Sequence, residues 1–178
     1  MKTVLTIFCA VLLFVGCNKG AESTSTYSDA DKAVQEAFER NSKTVLANLE
    51  GWQNENLDYS QYADDFYMMD TGFDAEKDSI NLAEMKEGDK NFWAGYDFKM
   101  TNEPVLLPGV DPDTRKPDGS VRHYSEWEVT KAATDSTPAK SGTIFLYETF
   151  DFDENGKIRR QSVYGDFTGL MMYLNSDE

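Results

Sequence analysis

An α+β domain, with helices packed on one face of an antiparallel sheet, is the fold class this chain predicts. Apolar residues recur at helical spacing through its first half and give way to long runs rich in β-branched and aromatic residues in its second. A third observation is the stretch "DFDENGKI", residues 151–158, which joins two such runs. Its Asp151, Asp153, Asn155 and Gly156 reproduce the first half of a calcium-binding loop. Such a loop requires a bidentate carboxylate at its twelfth position and helices on both sides. The twelfth position is Ser162, and both flanks, "TIFLYETF" and "KIRRQSVY", have strand composition. The stretch therefore predicts a hairpin turn, with Asn155-Gly156 supplying positive-φ residues.

The first helix starts at a capping pair, Ser28 with Asp31, and carries Val34, Phe38, Val45, Leu49 and Trp52 along one face. Gly51 and "QNENLD" break it, and a short helical turn from Tyr59 to Ala63 follows. "FYMMD" suits a brief strand, and Ser79 precedes a second substantial helix, "INLAEMKEGDKNFWAG". Strands are then predicted over Tyr96 to Leu107, Val121 to Lys131, Thr143 to Phe152 and Lys157 to Tyr164, joined by Pro-, Gly-, Asp- and Ser-bearing turns. "MMYL" near the C-terminus reads as a closing segment over the sheet or a contact between two copies.

Ahead of this domain, Lys2 and the apolar run Val4 to Val15 form an export signal, shorter than the roughly 20 residues needed to span a membrane. "LLFVGC" resembles the lipobox of bacterial lipoproteins, although Phe14 stands where that motif usually has Leu. The resemblance implies that residues 1–16 are removed and that Cys17 is lipidated, by a diacylglycerol and a fatty acyl chain such as palmitate. The alternative is an ordinary secretory peptide cut nearby. Residues 17–27 then form a polar tether, 28–175 the folded domain and 176–178 an acidic tail. Asn18, rather than Asp, beside the lipid implies the outer-membrane default of two-membraned bacteria, so the expected location is the cell envelope, facing the periplasm or the outside. Because Cys9 leaves with the signal and Cys17 is acylated, thiolate catalysis, disulfides and soft-metal sites drop out.

The chain holds 32 acidic and 17 basic residues, a formal net charge of −15, so its surface repels nucleic acid and anionic lipid heads. Its one histidine, His123, among carboxylates makes no transition-metal site, and no cofactor motif is present.

Two further stretches, "YADDFYMMD" and "YETFDFDENGKIRRQSVYGD", in this order after a long helix, resemble the SnoaL-like and ketosteroid isomerase branch of the nuclear transport factor 2-like superfamily. The resemblance runs from Ser28 to Leu174 and implies a cone-shaped α+β barrel, in which a strongly bent antiparallel sheet wraps the N-terminal helices around an apolar pocket. It also implies two candidate catalytic acids. Asp70 falls where the isomerases keep a proton-shuttling carboxylate, and Glu148 falls near their protonated, hydrogen-bond-donating acid. The isomerases' tyrosine on the first helix has no counterpart in "TVLANL".

The alternation of the strands places Glu148 among Ile144, Leu146, Phe150 and Phe152, an apolar setting for an acid. Pairing with Lys157, Arg159 or Arg160 across the sheet is the competing reading. For Asp70 it is a cap on the turn "DTGFD". Trp93, His123, Trp127 and Tyr164 are candidate ligand-binding residues, or simply core. The function expected is that of a membrane-tethered domain binding a small apolar ligand. An isomerase, cyclase or dehydratase using the carboxylate pair, and an association module forming a homodimer, are the alternatives.

Overall fold

The computed structural model describes residues 28–73 and 75–176. The signal, Cys17 and the tether lie outside the described residues. Helix α1 (Asp29–Gln53) opens on the expected capping box, in which Ser28 accepts from the Asp31 backbone and Asp31 accepts in return. A 3-10 turn (Tyr59–Gln61) leads into β1 (Tyr62–Met69), followed by β2 (Ser79–Asn81) and α2 (Leu82–Gly95). Then come β3 (Tyr96–Met100), β4 (Val105–Val110), β5 (Pro117–Lys131), β6 (Lys140–Phe152), β7 (Ile158–Tyr164) and α3 (Phe167–Leu174).

The sheet has seven strands in the order β2-β1-β7-β6-β5-β3, with β4 also pairing β5. It bends strongly around α1 and α2 without closing, which is the α+β cone expected. One pairing departs from an antiparallel sheet: β1 runs parallel to β7. The two strands lie far apart in sequence, and the helix and strands between them supply the crossover that a parallel pair needs.

Several boundaries differ from the sequence reading, each for a local reason. Tyr62 and Ala63 belong to β1 rather than to a helical turn, because their side chains are buried in the core, where Tyr62 packs edge-on against Phe66 with ring centroids 4.7 Å apart. The expected strand from Tyr96 to Leu107 is two strands, interrupted at "TNEP", where Pro104 lacks an N–H for the ladder. The cap of α2 is Asn81, which accepts from the Ala83 and Glu84 backbones, while Ser79 sits in β2. "MMYL" lies in α3.

The 153–156 turn is a hairpin loop as predicted. The Gly156 N–H donates to the Asp153 carbonyl at 3.0 Å, and Asp153 Oδ1 accepts from the Asn155 and Lys157 backbones at 2.9 and 2.8 Å. Only Gly156, at φ 74°, takes positive φ there, and Asn155 does not. The bulge between Asp151 and Phe152 absorbs the twist that a two-residue turn would otherwise carry.

The core lies between α1, β1 and the concave sheet face: Val45 and Leu49 of α1, Tyr62 and Phe66 of β1, and Val121, Trp127, Val129, Ile144, Leu146 and Phe150 of β5 and β6. Gly119 sets how closely α1 lies on the sheet. Its φ is +84°, and a Cβ there would stand 2.9 Å from Ala37 Cβ.

Candidate functional site

Alternation along β5 turns Val121, His123, Ser125, Trp127 and Val129 inward, and on β6 it turns Ile144, Leu146, Glu148 and Phe150 inward. The ladder pairs His123 directly with Glu148, and Val121 with Phe150. His123 is fully buried and Glu148 is 5% exposed, so two ionisable groups meet inside an apolar wall.

The geometry around them is incomplete in a specific way. Gln161, two residues before the β7 partner of Glu148, donates from Nε2 to Glu148 Oε2 at 3.1 Å. Glu148 Oε1 lies 3.6 Å from His123 Nε2, too long for a hydrogen bond. Both His123 ring nitrogens and Gln161 Oε1 lack partners among the described residues. The imidazole stacks on Phe150, with ring centroids 5.7 Å apart at 24°. Burial pushes the Glu148 carboxyl up to about 7, against a smaller opposing effect from the Gln161 bond. Burial also pulls the His123 imidazole down to about 4. A protonated carboxylic acid therefore faces a neutral imidazole through the mildly acidic range.

From the helical side, Asn48 donates from Nδ2 to the Tyr62 hydroxyl at 2.9 Å and to Gln61 Oε1 at 3.3 Å. The Tyr62 phenol is held well above its ordinary value, chiefly by burial. Nearby, buried Asp89 of α2 accepts from the Tyr59 hydroxyl at 2.8 Å and from Trp52 Nε1 at 3.3 Å. Its carboxyl is raised by burial, with both bonds acting in the opposite direction.

The sequence-derived candidates separate spatially. Asp70 is exposed beyond the end of β1, where its Oδ1 accepts from the Gly72 N–H at 2.9 Å and its own N–H donates to Asp78 at 3.1 Å. It caps its turn and shares no hydrogen bond with Glu148. Arg159 pairs with Asp65 at 2.9 Å, and Arg160 with Asp151 at 2.8 Å, so neither reaches Glu148.

Trp127 is buried, with its Nε1 donating to Ser125 Oγ at 2.9 Å. Trp93 packs at the edge of the core, 6.0 Å from Trp52 between ring centroids, and its Nε1 has no partner among the described residues. Tyr164 lies on the other side of the sheet. Register sets it beside Tyr147, which pairs Tyr124, in a row on the outer face, so it does not line the interior.

Sequence reasoning missed Gln161, Asn48, Tyr62 and Asp89. Asn41 and Asn48 were detectable in principle, since both fall on the helical stripe defined by Val45, Leu49 and Trp52. Among the described residues no cluster of three or more His, Cys, Asp or Glu side chains is arranged to hold a metal ion.

No protein-family model and no curated protein matches the chain. Solved structures do. One is a protein from Shewanella denitrificans assigned as a SnoaL-like polyketide cyclase, 15% identical over 77% of this chain and 98% of its own, with a TM-score of 0.53. Another, from Pseudomonas putida and assigned as a polyketide cyclase, is 14% identical over 78% of this chain and 97% of its own, with a TM-score of 0.56. Bal32a, from a soil-derived mobile gene cassette, is 11% identical over 78% of this chain and 99% of its own, with a TM-score of 0.53. At these identities the likeness is one of fold alone: the described residues form the same α+β cone as these SnoaL-like structures.

Proposed function

We propose that this is a lipid-anchored envelope protein whose cone binds a small, mostly apolar ligand carrying one hydrogen-bonding group. The observation that carries the reading is the set of unmatched groups at His123 and Gln161, beside a Glu148 carboxyl raised by burial, in an otherwise apolar wall. Buried polar atoms in native proteins nearly always have partners, and leaving one unmatched costs about 1–3 kcal/mol. A ligand hydroxyl or carbonyl supplies the missing donor or acceptor, while Phe150, Leu146 and Trp127 offer apolar contact. The "LLFVGC" motif and the polar tether support anchoring through Cys17 at the outer membrane. Proton-transfer catalysis by Asp70 together with Glu148 gains no support from the geometry, because Asp70 is exposed and engaged in its own turn.

Native mass spectrometry of the chain isolated from envelopes in mild detergent tests the reading. A small molecule should be released on denaturation and be absent from His123→Leu. Bare protein throughout, or equal retention by the variant, overturns it.

A second reading has its own observation. The outer sheet face carries a continuous apolar row, Val105, Tyr124, Tyr147 and Tyr164 in cross-strand register, with Phe145 beside it. Val105, Tyr124, Phe145 and Tyr164 are each at least half exposed. A face of this kind suits a flat contact with a second copy of the chain, compatible with ligand binding inside the cone.

A further inference from the structure

At the end of the domain remote from α3, a cleft of about 270 Å³ lies between the middle of α1, the start of β5 and the β6–β7 hairpin. Its walls include Arg40 and Asn41 of α1, Asp118, and Asp151, Asp153 and Glu154 of the hairpin. Asn41 is 3% exposed and is oriented by its Nδ2, which donates to the Gly119 carbonyl at 2.9 Å. That bond leaves Asn41 Oδ1 as a buried acceptor with no donor among the described residues.

The acids around it differ in what remains free. Asp151 is neutralised by Arg122 and Arg160, at 2.9 and 2.8 Å. Asp153 Oδ1 is occupied by the hairpin backbone and Oδ2 faces Asn155 Nδ2 at 3.4 Å. Asp118 uses only Oδ1, on Ser120, and Glu154 has no partner among the described residues. The wall is net negative: Asp118, Asp153 and Glu154 stand against Arg40, while Asp151 is already paired. The acids do not converge on one point as metal ligands would. An N–H-bearing organic cation meets both requirements, because its hydrogens satisfy the amide oxygen and its charge answers the carboxylates.

We propose that this cleft binds a small primary ammonium compound, with one ammonium group donating to Asn41 Oδ1 and Asp118, and a second, in a linear diamine, reaching Glu154. This site is separate from the cone interior: none of its wall residues belongs to the His123–Glu148–Gln161 cluster.

Calorimetric titration of the protein with butane-1,4-diamine at low ionic strength is the test. Binding to one site is expected, with perturbation of the Asn41 side-chain amide signals in nitrogen-15 spectra. Asp118→Asn and Glu154→Gln, both surface changes, should each weaken binding by about tenfold. Arg40→Ala should tighten it by removing a like charge. No binding, unchanged affinity in the Asp118→Asn/Glu154→Gln double variant, or equal competition by calcium or by tetramethylammonium, which has no N–H, overturns the proposal.

Discussion

Glu148 and His123 stand directly opposite each other on β6 and β5, Oε1 to Nε2 at 3.6 Å, with both side chains out of water. Folding moves a proton between them. In the unfolded chain between about pH 4.5 and 6.5 the imidazole holds it and the carboxyl does not, whereas in the folded protein the carboxyl holds it.

A raised carboxyl pKa makes stability fall as pH rises from 4.5 to about 7, and a lowered imidazole pKa makes stability fall as pH drops from 6.5 to about 4. The two slopes oppose each other, so wild-type stability should change little from this pair between pH 4.5 and 6.5. Glu148→Gln removes one slope. The variant should exceed wild type by about 3 kcal/mol at pH 8 and lose that advantage toward pH 4.5, in urea unfolding curves. A variant no more stable than wild type at pH 8 would contradict this.

His123→Leu leaves the opposite slope exposed. Its stability should decline from pH 4.5 to pH 6.5 by about 3 kcal/mol relative to the wild-type profile, which is flat over that range. Reading the slope, rather than one midpoint, separates proton linkage from repacking of the larger apolar side chain. A profile parallel to wild type would mean that Glu148 is not held protonated.

Two glycines predict opposite responses to alanine. Gly119→Ala meets Ala37 at 2.9 Å with φ at +84°, and should cost about 1–3 kcal/mol. Gly88, inside α2, has nothing within 4 Å of an added Cβ, so Gly88→Ala should gain about 0.5–1 kcal/mol. Thermal unfolding of the two variants side by side checks both signs.

Sedimentation velocity tests the outer face. Tyr124→Glu and Phe145→Glu, at exposed positions, should shift a dimer to monomer with unchanged circular dichroism. A wild-type monomer at all concentrations measured would end the association reading.

Acylation at Cys17 should decide location. Cys17→Ala should lose both fatty-acid labelling and membrane partition, whereas retention of both would remove the anchor from the account.

Much of the architecture was legible because it is set by neighbours in the chain. The Ser28–Asp31 box, the helical stripe of α1 and the Gly156 turn are each determined within a few residues. The Tyr96–Leu107 run was misjudged because composition records apolar content and β propensity but not the loss of one ladder donor at Pro104.

The site was legible only in part. Alternation put His123, Ser125 and Trp127 on one strand face and Glu148 on an apolar face of another, but face does not say inside or outside. Tyr164 shows the difference: on the last strand its parity sends it outward to Tyr147, while Gln161 turns inward to Glu148.

The amino-acid sequence alone determined the two long helices, the long strands of the second half, the hairpin at 153–156 and the presence of an acid amid apolar neighbours, since these depend on local backbone preference and period. The tertiary structure decided that Glu148 meets His123 rather than an arginine, that Asp70 stays in water, and that Asn41 is left with a free acceptor. Those outcomes depend on strand register and on burial beneath α1, through contacts between residues far apart in the chain. The same burial sets which of two facing groups keeps the proton.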